Sequence, residues 1–442
     1  VAAFNYTESS VAKTVLIFFD PATGQLAGSK DLDNAVYPAS GAAATALTWT
    51  DNALWIARSS VLFYVATPVL GGVATIADPT DAAVKYAAGA LNGAVSQQAS
   101  LITALASYKD AANLWHIYAA FQGAAAGGNY ENPAGAITAG AHAKHYRAGV
   151  YKLAEVQTEA LTNSWDYRIE PIGPEPLFND PYVEVSAPGV PINPQCVRFS
   201  YDLERAPRGA FPTAIAANQT DGSFVVAFTN QGYGPDGGFP PSGAAPRTAA
   251  KFTAEGLIVW EIDTGSSIAG EAGGKLTGVG TTYQTDLPDE DGGNAGTTSK
   301  DGPAVRSVAI DTAGDVYLAG RVSTALVHVF AYGGAVGNLK WRKSVQDPAT
   351  AAGAAGKGSP TFALAIDDAD GGLLVLAARN TLWDPDVATD TEGYAHLWKL
   401  SQADGSVQWS WDITQDASEF SATCIAARGG TIVYGGPLWT DT

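Results

Sequence analysis

Methionine is absent from this 442-residue chain, and cysteine occurs only at Cys196 and Cys424. The missing methionine has no physical account. The two cysteines sit in apolar or strand-like contexts, which reads as two buried thiols; a bridge between them is the alternative. Cations are also scarce, with 25 Lys and Arg against 44 Asp and Glu and a formal net charge of -19. Phosphate backbones need clustered Lys and Arg, so nucleic acid is excluded as an expected partner. No run of 18 apolar residues occurs, so no membrane insertion is expected. The N-terminal "VAAFNYTESS" has neither a basic n-region nor an apolar h-region, so no signal peptide is expected there. A start at Val1 fits loss of an initiator Met before a small residue, and equally cleavage of a leader. G-x-S-x-G, H-E-x-x-H, a phosphate loop and a dinucleotide fingerprint are all missing, and no enzyme is expected.

What is present is apolar material and repetition. Hydrophobic residues make up 46% of the chain and charged residues only 16%, enough for a large core. "AVRSVAIDTAGDVYLAGRV" (304–322) reads as strand, Asp-containing turn, strand. The same grammar recurs at 213–228, 361–379 and 421–436, and more loosely at 45–58 and 102–121. A second hairpin comes after several of these units, with a tryptophan four residues past a glycine. Gly256 precedes Trp260, Gly337 precedes Trp341, and Gly405 precedes Trp409. "DGSVQWSWDI" (404–413) shows the chemistry: Asp-Gly suits a tight turn, and Val407, Trp409 and Trp411 then alternate with polar residues as one apolar strand face. Trp165 ends a similar segment without the glycine, and 61–78 has the hairpin without the tryptophan.

Two hairpins in series make a four-stranded antiparallel blade. The last hairpin, 421–436, has no successor, and the chain opens on an orphan second hairpin at 13–32. Joining the two would hide two sheet edges and tie down both termini. The expected fold is therefore all-β: a single β-propeller domain over 1–442, of six four-stranded blades with seven as the alternative, closed by pairing of the N-terminal with the C-terminal hairpin. The repeats are spaced unevenly because of Gly-, Ala- and Pro-rich insertions at about 79–100, 122–145, 170–210, 229–247 and 266–303. Part of 79–107 could hold a short helix. "YVEVSA" and "CVRFSYDL" inside 170–210 are strand-like and could belong to a seventh blade.

The Gly-to-Trp units resemble the pyrroloquinoline-quinone-type propeller repeat. That resemblance implies that Trp260, Trp341 and Trp409 dock each blade on its neighbour. Enzymes of that family use a Ca²⁺ beside the cofactor and often a vicinal cysteine pair. Here the cysteines are not adjacent and no matching calcium set is identifiable, so no quinone cofactor is expected.

Other candidate chemistry is sparse. Asp286, Asp289, Glu290 and Asp291 cluster in a Gly-rich insertion and are the candidate Ca²⁺ ligands. "WDPDVATDTE" (383–392) is a similar acidic stretch, and "DDADGG" (367–372) resembles the start of a calcium loop, although its place in a hairpin explains it as turn chemistry. His142 and His145 form H-x-x-H without a third ligand nearby. His116, His328 and His396 lie in strand patterns and read as structural. Asn5 and Asn218 open glycosylation-like triplets. The expected role is non-enzymatic: a structural or interaction propeller within a large assembly. Standalone propellers of this repeat type with long insertions resemble bacteriophage virion proteins, such as tail nozzle, fibre or other tail proteins. The implied partners are other virion proteins and copies of the chain itself, and the implied location is the virion. A secreted or periplasmic binding propeller and a quinoprotein enzyme are the alternatives.

Overall fold

A computed structural model describes residues 2–19, 26–32, 41–51, 53–58, 61–66, 101–122, 148–157, 165–170, 196–198, 210–230, 247–263, 276–278, 304–323, 326–346, 360–379, 395–413, 419–420, 424–435 and 438–439. Every regular element among them is a β-strand. The first sheet has the order β1 (Ala2–Glu8), β2 (Val11–Phe19), β3 (Leu26–Asp31), and the second β4 (Ala44–Trp49), β5 (Ala53–Arg58), β6 (Val61–Ala66). The third runs β7 (Leu101–Lys109), β8 (Trp115–Gln122), β9 (Ala148–Gln157), β10 (Trp165–Glu170), with β11 (Cys196–Arg198) also on β9. The fourth runs β12 (Ala210–Ala217), β13 (Phe224–Asn230), β14 (Arg247–Phe252), β15 (Ile258–Asp263), β16 (Leu276–Gly278). The fifth is β17 (Ala304–Ile310), β18 (Val316–Ser323), β19 (Leu326–Tyr332), β20 (Leu339–Gln346). The sixth is β21 (Pro360–Ile366), β22 (Leu373–Arg379), β23 (Ala395–Leu400), β24 (Val407–Asp412). Two short pairs complete the chain: β25 (Glu419–Phe420) with β28 (Leu438–Trp439), and β26 (Cys424–Arg428) with β27 (Thr431–Gly435).

The chain divides into two compact units. The first contains Val1–Phe224, Gln231–Pro240 and Phe252–Leu257; the second contains Val225–Asn230, Pro241–Lys251 and Ile258–Thr442. Within the first unit, β5 is buried at every position. Its alternate side chains serve two neighbours. Leu54 and Ile56 join Leu16, Phe18 and Leu32 of the first-sheet segment, while Ala53, Trp55 and Ala57 join Leu105, Ile117 and Leu153 of the third sheet. Within the second unit, Leu373 and Val375 of β22 pack with Trp341 and Val345, and Leu374 and Leu376 pack toward Ile425, Ile432 and Tyr434. A strand buried on both faces needs a continuous apolar run rather than alternation. That is why the second strands read "ALWIA" and "LLVLA". Burying each large side chain contributes about 1.5–3 kcal/mol.

The sequence expectation that residues 13–32 and 421–436 form two halves of one sheet is corrected here. β2 and β3 lie in the sheet of β1, and β26 pairs with β27 alone among the described residues. The cause is β1. Ser9 and Ser10 adopt φ of +52° and +67°, a two-residue turn of the kind that matches strand twist. It folds β1 back along β2, from Ala2 opposite Ile17 to Glu8 opposite Val11. The edge that closure needs is already filled.

The insertions lie largely outside the described residues. Within 170–210, "CVR" forms β11, which adds to β9 with Cys196 opposite Tyr151 rather than starting a further sheet. Within 79–107, Leu101–Lys109 is strand β7. The long connections after β8, β13 and β22 leave from the sheet ends opposite the tight turns between first and second strands.

Candidate functional site

The tight turns carry most of the polar chemistry. In the third to sixth sheets, the turn between first and second strands opens on Asp110, Asn218, Asp311 or Asp367. A short polar side chain there accepts backbone N–H groups just ahead of it, which fixes the turn. Asp110 Oδ1 accepts the amides of Ala112 and Leu114 at 2.9 and 2.8 Å. Asn218 Oδ1 accepts Thr220 N at 2.7 Å, and Asp311 Oδ1 accepts Asp315 N at 2.8 Å. In the second sheet, Thr50 Oγ1 accepts Ala53 N at 3.0 Å. Asn218 is buried in this role, and Asn5 holds both Ala44 and Thr14, so each glycosylation-like asparagine has a structural task.

Each aspartate then has a second oxygen for tethering. Asp110 Oδ2 lies 2.9 Å from His116 Nε2, and the His116 ring stacks on Tyr108 at 4.7 Å. Burial would raise the Asp110 carboxyl, but the His116 bond and the backbone donors outweigh it and hold it below its ordinary value. Tyr317 donates to Asp311 Oδ2 at 3.0 Å; burial, then the Asp311 charge, push the phenol well above its usual range. Lys399 Nζ donates to Asp367 Oδ2 at 3.0 Å and to Asp370 Oδ2 at 2.7 Å. Those bonds to Lys399 lower both carboxyls. Burial opposes the Lys399 charge, yet Asp370 and Asp367 keep its ammonium above the ordinary lysine value. In "DDADGG" the charge facing the carboxylates is therefore the protein's own cation.

Three buried lysines were invisible to motif reading: Lys152, Lys251 and Lys399. Lys251 Nζ reaches two turns of the fifth sheet at once, donating to Gly314 O at 2.8 Å and Gly334 O at 2.9 Å. Lys152 Nζ donates to Ala254 O at 3.2 Å and sits over the Tyr108 and Tyr118 rings. A buried ammonium needs such acceptors, because stripping it of water is costly. The available signal was a single lysine inside an apolar third strand, as in "VYKL", "AAKF" and "LWKL".

The tryptophans divide. Trp260, 1% exposed, donates its Nε1 to Gly334 O at 3.2 Å in the turn between β19 and β20. Trp341, 8% exposed, donates to Gln402 O at 2.7 Å in the turn between β23 and β24. Its ring covers Gly405, where an added Cβ would stand 2.7 Å from Trp341 Cε3. Both indoles thus go from a fourth strand into the third-to-fourth turn of the next sheet. Trp409 holds the corresponding place in β24 but is 38% exposed, with Trp411 at 53%. Among the described residues, β26 and β27 make a single hairpin and offer no third-to-fourth turn. Cys424, expected to be buried, is exposed: it lies on the β26 face that it shares with the exposed Ala426 and Arg428, and its Sγ donates to Gly435 O at 3.3 Å.

Asp286, Asp289, Glu290, Asp291, His142, His145 and the 383–392 stretch lie outside the described residues. So do the side chains of Cys196, Trp165 and His328. Among the described residues no group of three or more His, Cys, Asp or Glu could hold a metal ion. No helix among them is long and apolar enough to cross a membrane.

No protein-family model and no curated protein matches the chain. Among solved structures it is similar to one titled as the Dos1 propeller, with 9% identity and a TM-score of 0.37, over 99% of this chain and 77% of that one. It is also similar to Kluyveromyces lactis Hsv2, with 8% identity and a TM-score of 0.34, over 93% and 83%. A quinohemoprotein alcohol dehydrogenase from Comamonas testosteroni gives 10% identity and a TM-score of 0.34, over 97% of this chain but 61% of its own length.

Proposed function

We propose that this chain is a non-enzymatic structural and interaction propeller, working as one component of a large assembly. The successive sheets, from β1–β3 through β21–β24, and the β26–β27 hairpin are its blades. One observation carries the interaction reading: Val407, Trp409 and Trp411 form an exposed apolar strip on β24, and such patches mark contact surfaces. The rest of the design supports a scaffold. Asp110, Asp311, Asp367, Lys251 and Lys399 are committed to holding turns, while the long connections leave from the opposite ends. Rigid sheets that present variable loops are a common binding platform, although fold alone assigns no activity. The resemblance of the repeat to bacteriophage virion proteins supplies the proposed setting, a virion or tail, with other assembly proteins and further copies of the chain as partners. Sizing and imaging of the native particle test this. A ring or tail-like multimer is the expected result, and a free monomer in the native source overturns it.

A further inference from the structure

We infer that β24 pairs edge to edge with the β24 of a second copy of this chain, antiparallel and about a two-fold axis at Ser410, joining two sixth sheets into one. This pairing rests on the interaction reading above and names the partner of the Val407–Trp409–Trp411 strip. β21–β24 and β26–β27 all belong to the second unit. A strand at a sheet edge presents unpaired N–H and C=O groups, which natural proteins protect with charged residues or a further strand. The fourth strands of the third, fourth and fifth sheets follow that rule. β10 contains Asp166, Arg168 and Glu170, β20 contains Lys340, Arg342 and Lys343, and β15 is covered by β16. β24, "VQWSWD", has a single charged residue, Asp412 at its end, and only β23 beside it among the described residues. Its burial differs as well. β20 buries Trp341 and Val345, whereas every residue from Ser406 to Trp411 is exposed.

The strand is complementary to itself. Trp409 lies opposite Lys399 and Trp411 opposite Leu397, so both indoles stand on one face of the sixth sheet. A two-fold axis perpendicular to the sheet keeps them on that face in both copies. Centred on Ser410, the register sets Trp409 against the partner's Trp411, and Gln408 against the partner's Asp412. Cross-strand aromatic pairs stabilise a sheet, and like charges directly opposite oppose it. Here four indoles gather on one face and no two charged residues stand opposite each other. The paired edge and strip bury on the order of 1,000 Å² in total, the low end for specific association. The net charge of -19 on each chain also opposes close approach. The dimer is therefore weak and concentration-dependent. Each copy uses the same edge, so the contact is isologous and closes at two.

Sedimentation and light scattering of the full chain across a concentration series test this, in a Cys196→Ala, Cys424→Ser background at about 0.15 M salt. The parent should dimerise with a Kd on the order of 10 μM. Trp409→Ala with Trp411→Ala should weaken association at least about tenfold, as for a central aromatic hot spot. Ser410→Lys, which sets two cations against each other on the axis, should do the same. All three positions are exposed, and urea midpoints check that the fold is kept. Ser410→Cys should give a disulfide-linked dimer on mild oxidation. Directly opposite residues of antiparallel strands have Cα atoms about 4.5–5.5 Å apart, within disulfide reach. Arg342→Cys, on the charged edge of β20, should not link. A parent that stays monomeric up to about 100 μM overturns the inference. So do dimers that Ser410→Lys and the double tryptophan variant leave unchanged, or that Ser410→Cys does not link. The assembly reading is judged separately, on the native particle, and a multimeric particle keeps it whichever of these results is found.

Discussion

Gly405→Ala tests whether tryptophan docking, rather than strand propensity, fixes one sheet on the next. Two costs arise. Gly405 sits at φ +70°, where an L side chain costs about 1 kcal/mol. The new methyl would also stand 2.7 Å from Trp341 Cε3 and 2.9 Å from Cζ3, well inside van der Waals contact. The indole must move by roughly 1 Å, which stretches its 2.7 Å bond to Gln402 O. Overpacking of this kind costs about 1–3 kcal/mol, and the weakened bond adds up to about 1 kcal/mol. Gly429→Ala is the control. Its φ is +58°, but an added Cβ there meets nothing within 4 Å, so only the backbone cost of about 1 kcal/mol applies. The expected difference is about 2 kcal/mol. In urea, with a slope of about 2 kcal/mol/M, that separates the midpoints by about 1 M. Equal midpoints for the two variants would refute the docking argument. Adding Trp341→Leu should relieve the clash, so the double variant should be less damaged than the sum of the singles.

Trp341→Ala should cost about 3–5 kcal/mol in urea unfolding, whereas Trp409→Ala, already exposed, should cost less than about 1 kcal/mol in the monomer. Lys399→Met should destabilise by about 3 kcal/mol at neutral pH, because it leaves Asp367 buried without its cation. Its pH profile should also change shape. Asp367 and Asp370 are held low by Lys399, so their contribution is present above the unfolded value of about 3.9 and lost as pH falls through their folded values. Lys399 is held high, so its contribution is present below about 10.4 and lost as pH rises through its folded value. The variant should show a flatter acid limb by thermal unfolding between about pH 5 and 2; an unchanged limb would deny the pairing. Tyr317→Phe should cost about 1 kcal/mol through the lost bond to Asp311, read by the same unfolding series.

The hairpins were legible because each carries its own instructions. An Asp or Asn at the turn and alternation or apolar runs on either side need no tertiary information, and "IDTAGDVYL" folds as such a hairpin. The buried lysines were not legible, since the carbonyls that hold Lys251, Gly314 and Gly334, lie 63 and 83 residues away. A charge in a strand reads as a solvated face until those acceptors are known. Likewise the exposure of Trp409 and Cys424 depends on the strands that come after β24 and on which face of β26 is covered. The closure of the two ends failed as an expectation for a local reason: residues 2–8 are themselves a strand, and the Ser9–Ser10 turn delivers them to the edge of β2.

That failure bears on what the tryptophans are for. Trp260, Trp341 and Trp409 share one spacing from a glycine, yet the first two are buried in a neighbouring turn and the third is not. If docking on the next sheet were only a matter of core stability, an exposed third copy would be a liability, since a large apolar side chain in water gains nothing and invites aggregation. Trp411 and Val407 extend the same exposed face, and Val433 stands exposed on the neighbouring β27. Polar residues at these four positions would leave β24 and β27 intact, because Gln408, Ser410 and Thr431 already stand on these strands. The apolar choice at these positions is therefore not required by the strands themselves, and an exposed strip of this kind is the chemistry of a contact surface.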